Sequence, residues 1–148
     1  MSRAPGRVAG FTGTQRGMTL QQKSSVRVIL LRWREHLNYN MFHHGGCIGA
    51  DAEAQDIAFH LGYKIVVHPP VDKRKMAEPI DDYLPIYREP KLYLERNEDI
   101  ARECDALIAT PRGEVEVRRS GTWSTIRRAR RLGKWIAIVL PDGSIRWE

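Results

Sequence analysis

Three glycine-rich turns hold the residues of this chain best suited to bind an anion: Phe11-Thr-Gly-Thr-Gln-Arg-Gly17, His43-His-Gly-Gly-Cys-Ile-Gly-Ala-Asp51 and Arg119-Ser-Gly-Thr-Trp123. Each follows a short apolar run and precedes a helix-like stretch. Glycine lets the backbone pass close to a ligand. The helix that follows aims its unpaired N–H groups and the positive end of its dipole at any negative charge there. Phosphate suits such a site, so a small phosphorylated nucleoside or nucleotide derivative is the expected ligand, with no further cofactor.

Each turn offers candidates. Gly121 admits a phosphate to the helix start, where the hydroxyls of Ser120 and Thr122 can donate to its oxygens; a plain helix cap uses the same residue types. Gly13 and Thr14 supply the equivalent backbone in the first turn. In the second, Gly45, Gly46 and Gly49 read Gly-Gly-x-x-Gly, without the acidic residue that closes the second strand of a dinucleotide dehydrogenase. Asp51 is either a carboxylate favoured by the helix dipole or the group that reads a ribose hydroxyl or acts at the reacting carbon.

Arg96 and Asn97 place a guanidinium beside an amide, a pairing that suits a phosphate or a base edge; a solvated helix face accounts for them equally well. Arg118 and Arg119, just before the last glycine, can reach the ligand. Cys47 reads as a small residue filling a tight turn rather than as a nucleophile. Of His43 and His44, one alternates into the core and one faces the site. Neither has a spaced partner, so no metal site is expected.

The elements that must position these residues follow from periodicity. Residues 8–12 read as a strand. Thr19 with Gln22 makes a capping box for a helix over 19–38, on which Val26, Ile29, Leu30 and Trp33 fall at helical spacing. Met41 and Phe42 form a short strand, and a helix runs from Ala50 to the stop at Gly62. A third strand covers 64–68, a helix 93–104, a fourth strand 106–109, a helix from Ser120 to Leu132, and a fifth strand 135–140. Asp142-Gly143 turns the tail, folding residues 144–147 back as an edge strand. Residues 69–91 contain five prolines and no period, and read as a lid-like insertion.

Strands alternating with helices imply right-handed crossovers and a parallel sheet. The expected architecture is α/β: one Rossmann-like three-layer domain over 1–148, with a mainly parallel five-stranded sheet in the order 3-2-1-4-5 and helices on both faces. The ligand then sits beyond the strand carboxyl ends, where the order reverses.

Composition narrows the classes. A chain of 148 residues with 42% hydrophobic and 28% charged residues suits one globular domain. No apolar run approaches the roughly 20 residues that span a bilayer. The N-terminal Met1-Ser-Arg-Ala-Pro-Gly-Arg7 lacks an apolar core, so a cytoplasmic setting is expected. The net charge of +6 favours an anionic partner, small or polymeric.

Taken together, Phe11-Thr-Gly-Thr14, His44-Gly-Gly-Cys-Ile-Gly-Ala-Asp-Ala-Glu-Ala54, His68-Pro-Pro70, Tyr93-Leu-Glu-Arg-Asn-Glu-Asp-Ile100 and Arg119-Ser-Gly-Thr-Trp-Ser-Thr-Ile-Arg-Arg128 resemble the SLOG superfamily, over about residues 8–140. That superfamily joins DNA-processing protein A to the Lonely Guy phosphoribohydrolases. The resemblance implies a Rossmann-like sheet, nucleotide binding and frequent homodimers. The Lonely Guy enzymes look like Pro-Gly-Gly-x-Gly-Thr-x-x-Glu at the last turn. Here Arg119-Ser120 replace the first glycines and Thr125 stands where the glutamate would be. Glycosidic cleavage needs a carboxylate, and Asp51 is the first candidate to supply it. The readings rank as a nucleotide-binding or sensor domain first, an N-glycosidase using Asp51 second, and a single-stranded DNA binder using the Arg118–Lys134 cluster third.

Overall fold

A computed structural model describes residues 6–148. Its strands are β1 (Arg7–Gly13), β2 (Tyr39–His44), β3 (Lys64–Val67), β4 (Ile86–Tyr87), β5 (Ala106–Thr110), β6 (Trp135–Val139) and β7 (Ile145–Trp147). Its α-helices are α1 (Leu20–His36), α2 (Ala50–His60), α3 (Tyr93–Glu103) and α4 (Gly121–Arg131). The strands form one sheet in the order β4-β3-β2-β1-β5-β6-β7, parallel throughout except for the β6–β7 hairpin.

The sheet thus has seven strands rather than five. The five expected strands hold its centre in the expected order, and the tail forms β7 as anticipated. The strand missed is β4, inside the proline-rich segment, where Ile86 and Tyr87 pair with Val66 and Val67 of β3. Two residues carry no readable period. They are extended because β3 offers an unpaired edge, and backbone groups there need partners.

β1 is the middle strand and the point where the chain switches direction across the sheet. One face packs Phe11, Phe42, Ile65 and Ile108 against Val26, Leu30 and Trp33 of α1 and Ala54 and Ala58 of α2. The other packs Leu107, Ile136 and Ile138 against Ile100 of α3 and Trp123 and Ile126 of α4. These two clusters set the helix layers by burying apolar faces on a sheet that is apolar on both sides.

The N-terminus of α1 does more than begin a helix. The Thr19 hydroxyl accepts from the Gln22 N–H and the Gln22 side chain accepts from the Thr19 N–H, both at 3.0 Å, completing the expected capping box. Gln22 is also buried, donating from Nε2 to the carbonyls of Pro111 (2.9 Å) and Val139 (3.0 Å). The cap therefore ties α1 to the ends of β5 and β6.

Candidate functional site

Beyond the carboxyl ends of β1, β2 and β5 lies a cleft of about 1260 Å3. It gathers residues from all three glycine-rich turns. Gly13, Thr14, Gly45, Asp51, Arg96, Asn97, Arg119, Ser120, Gly121 and Thr122 all line it. Of the candidate residues, Gly46 and Gly49 do not. Gly49 has φ +84°, and a Cβ on it would run into the backbone carbonyl of Gln15. Its role is to let the first two turns touch. The Ala50 N–H then reaches the Thr14 carbonyl at 3.0 Å, while the Thr14 N–H bonds the Thr110 carbonyl at 3.2 Å. The first turn is pinned between the second turn and the end of β5.

The second turn is closed on itself. Asp51 Oδ2 accepts from the N–H groups of Gly45 and Cys47, both at 3.2 Å. Burial pushes its carboxyl up to about 6, against the opposing pull of Arg96 and those two N–H groups. Arg96 is buried as well, not on a solvated helix face. Its Nη1 donates to the carbonyls of Gly45 and His68, its Nε to Asn97 Oδ1 at 3.0 Å, and its plane lies 5.1 Å from the Tyr93 ring centre. The guanidinium expected to meet a phosphate is thus largely taken up by protein carbonyls. Cys47 fits the space-filling role: its Sγ lies 3.9 Å from Arg96 Nη2, and burial, with Asp51 beside it, pushes the thiol up.

The third turn is open. Ser120 caps α4, its hydroxyl accepting from the Trp123 N–H at 3.3 Å, so the cap reading of Ser120 holds. The N–H groups of Gly121 and Thr122 lie in the first turn of the helix, where no intrahelical acceptor is in reach. Gly121 is exposed, and a Cβ on it would meet no atom within 4 Å. Thr125, in the position of the Lonely Guy glutamate, is buried and donates to the Gly121 carbonyl at 3.0 Å. It does not line the cleft.

The countercharge comes from residues around the mouth. Arg16, Lys75, Arg112, Arg118 and Arg119 line the cleft and have no ion-pair partner among the described residues. Arg127 and Arg128 also line it, but pair with Glu116 (3.2 Å) and Glu98 (3.3 Å). Arg130 points elsewhere, to Glu148 at 2.6 Å. Sequence reasoning missed Asp72, Arg74 and Lys75, which come from the proline-rich insertion. That stretch is tied to the second turn by backbone bonds from Ile48 N–H to the Lys75 carbonyl (2.9 Å) and from Ala77 N–H to the Gly46 carbonyl (2.8 Å). The length of the insertion was the only available sign.

Neither histidine of the β2 end faces the cleft, contrary to the expectation for one of them. His44 turns to the α2 side, where its Nε2 meets Gln55 Oε1 at 2.7 Å and its Nδ1 accepts from the Gly46 N–H at 3.0 Å. His43 points to the opposite face, with Nδ1 2.9 Å from His68 Nε2. Burial holds all three rings low, His43 and His44 at about 4 and His68 at about 3. Strand alternation separates the neighbours, as the pattern required.

The chain matches no family model and no curated protein. Solved structures do match its fold. The molybdenum cofactor binding protein of Rippkaea orientalis superposes with a TM-score of 0.67 at 17% identity, over 92% of this chain and 77% of that one. DNA processing protein A of Streptococcus pneumoniae gives 0.66 at 21% identity, over 89% of this chain and 50% of that one. The molybdenum cofactor carrier protein of Chlamydomonas reinhardtii gives 0.59 at 16% identity, over 90% and 76%. The chain therefore shares the α/β Rossmann-like fold of these proteins, one of which is a DNA-processing protein A. No helix among the described residues is long and apolar enough to cross a membrane.

Proposed function

We propose that this chain binds a small phosphorylated nucleoside or nucleotide derivative at the carboxyl edge of the sheet, as a sensor or binding protein. The observation that carries the reading is the open start of α4. Unbonded N–H groups at Gly121 and Thr122 front a cleft whose mouth holds cations without ion-pair partners. Phosphate rests there, against Gly121-Thr122 and the Gly13-Thr14 turn, with Arg118 and Arg119 as countercharge. Residues 72–75 of the insertion order over the bound ligand. The neighbours named for binding a molybdenum cofactor support a small-molecule guest in this fold. A cytoplasmic homodimer belongs to the same proposal.

Glycosidic hydrolysis through Asp51 is the second reading. The carboxyl, held at about 6, can carry a proton near neutral pH. Its Oδ2 is already engaged with two backbone N–H groups, which ranks this reading below binding. Single-stranded DNA binding comes third, supported by the DNA-processing neighbour.

Mass spectrometry of small molecules that co-purify with the protein, followed by a thermal-shift screen of nucleotides with base release monitored, tests all three. A nucleotide at 100-fold its dissociation constant stabilises the folded state by about 2.7 kcal/mol. The expected result is such a shift without free base. No shift with any nucleotide would overturn the proposal, and release of base that Asp51→Ala abolishes would move the protein to the hydrolase reading.

A further inference from the structure

The anion cleft leaves one buried polar cluster without a role. His43 in β2, His68 just past β3 and Glu103 at the end of α3 meet on the α3 side of the sheet. None of the three lines the cleft. They are far apart in sequence; the parallel pairing of β2 with β3 brings the two histidines together, and the end of α3 brings Glu103 to His43.

Three potential ligand atoms gather there, two of them within hydrogen-bond distance of each other. His43 Nδ1 and His68 Nε2 face each other at 2.9 Å, and Glu103 Oε1 lies 3.8 Å from His43 Nδ1. All three ligand atoms fall within 4.8 Å of one another. Two imidazole nitrogens this close require at least one to present a lone pair rather than a proton. A tetrahedral Zn2+ with bonds of about 2.0–2.2 Å sets its ligand atoms roughly 3.3 Å apart. The observed separations straddle that value. Glu103 is the adjustable member, its side chain 31% exposed at a helix end, while the two rings are fixed by burial.

We propose that His43, His68 and Glu103 form a binding site for a borderline divalent transition-metal ion of the Zn2+ class, separate from the anion cleft. Two imidazoles and one carboxylate supply three ligands and leave a fourth position for water. Imidazole nitrogen selects against Mg2+ and Ca2+, which take oxygen ligands. Arg88 donates to the same Glu103 oxygen at 2.9 Å, and its half-exposed side chain yields that oxygen when the ion enters.

Zn2+ titration of the tag-free full chain by calorimetry, with Co2+ absorption as a spectroscopic readout, tests the site. The wild type is expected to bind one Zn2+ per chain at micromolar or tighter affinity and to give the visible bands of four-coordinate Co2+. Glu103→Gln should weaken Zn2+ by at least about 10- to 100-fold, the loss that even an outer-shell partner's removal brings, and His68→Gln should do the same. Glu103→Gln changes a partly exposed helix end, so circular dichroism should match the wild type, and the test survives should His68→Gln misfold. Gly121→Val should leave Zn2+ binding intact, keeping this result independent of the nucleotide reading. Absence of Zn2+ binding by the wild type, or wild-type affinity in Glu103→Gln, would overturn the proposal.

Discussion

The turn after β2 and the turn before α4 share a glycine-rich sequence style and finish in opposite states. Around Asp51 the backbone N–H groups of Gly45 and Cys47 find a carboxylate, and the carbonyls of Gly45 and His68 find Arg96. Around Gly121 the first helical N–H groups face the cleft with exposed arginines beside them. The difference lies in what the neighbouring elements bring. α3 delivers a buried guanidinium to the first, while the exposed stretch 112–119 brings the solvated Arg112, Arg118 and Arg119 to the second. A glycine-rich turn reads as a ligand loop in either case; only the one whose polar groups remain unbonded can act as one.

Perturbing the two turns should therefore break different properties. The largest effect is expected from Arg96→Ala, which strands two buried carbonyls and removes the charge that tempers the buried Asp51. A loss of about 3–5 kcal/mol in urea unfolding is expected. A loss below about 1 kcal/mol would mean the closed turn is not held as described.

Next comes the pH dependence of Asp51. Its carboxyl sits at about 6 in the folded chain against 3.8 for the ordinary group. Between these values the folded state binds more protons than the unfolded one, so this residue's contribution is full below about 4 and is lost as pH rises through 6. The gap corresponds to about 3 kcal/mol. Asp51→Asn keeps an acceptor oxygen and cannot ionise. Unfolding measured for both proteins from pH 4 to 7 should show the variant gaining about that much on the wild type as pH rises to 6, then no more. A constant difference would sever the link between burial and this carboxyl.

The smallest effect on the fold is expected at the open turn. Gly121→Val meets no neighbouring atom, and its unfolding free energy should stay within about 0.5 kcal/mol of wild type. Its side chain occupies the phosphate approach, so nucleotide-induced stabilisation should vanish. Stabilisation that persists would show the anion resting elsewhere and dissolve the contrast between the turns.

How far the chain could be read in advance depended on range. The capping box at Thr19 and Gln22, the helical spacing of Val26 to Trp33 and the strand beginning at Trp135 are local patterns, and they appear as expected. β2 proved longer than its two apolar residues because Tyr39 and Asn40 extend it at one end and His43 and His44 at the other, each histidine buried by a partner from another element. Arg96, standing among charges on a helix, read either as a phosphate ligand or as part of a solvated helix face. Its burial depends on two carbonyls 28 and 51 residues away. The pairing of His43 with His68 and Glu103 is equally invisible to spacing rules, since strand register and not sequence separation makes it.

By itself, then, the sequence determined the alternation of strands and helices, the central strand order and the edge of the sheet where the turns assemble, because periodicity, capping and glycine act over a few residues. The tertiary structure decided which of those turns is closed and which is open, where Arg96 went, and that two histidines meet a glutamate. Those outcomes turn on whether a buried polar group finds a partner. Such partners come from distant parts of the chain, brought within reach only when the sheet is formed.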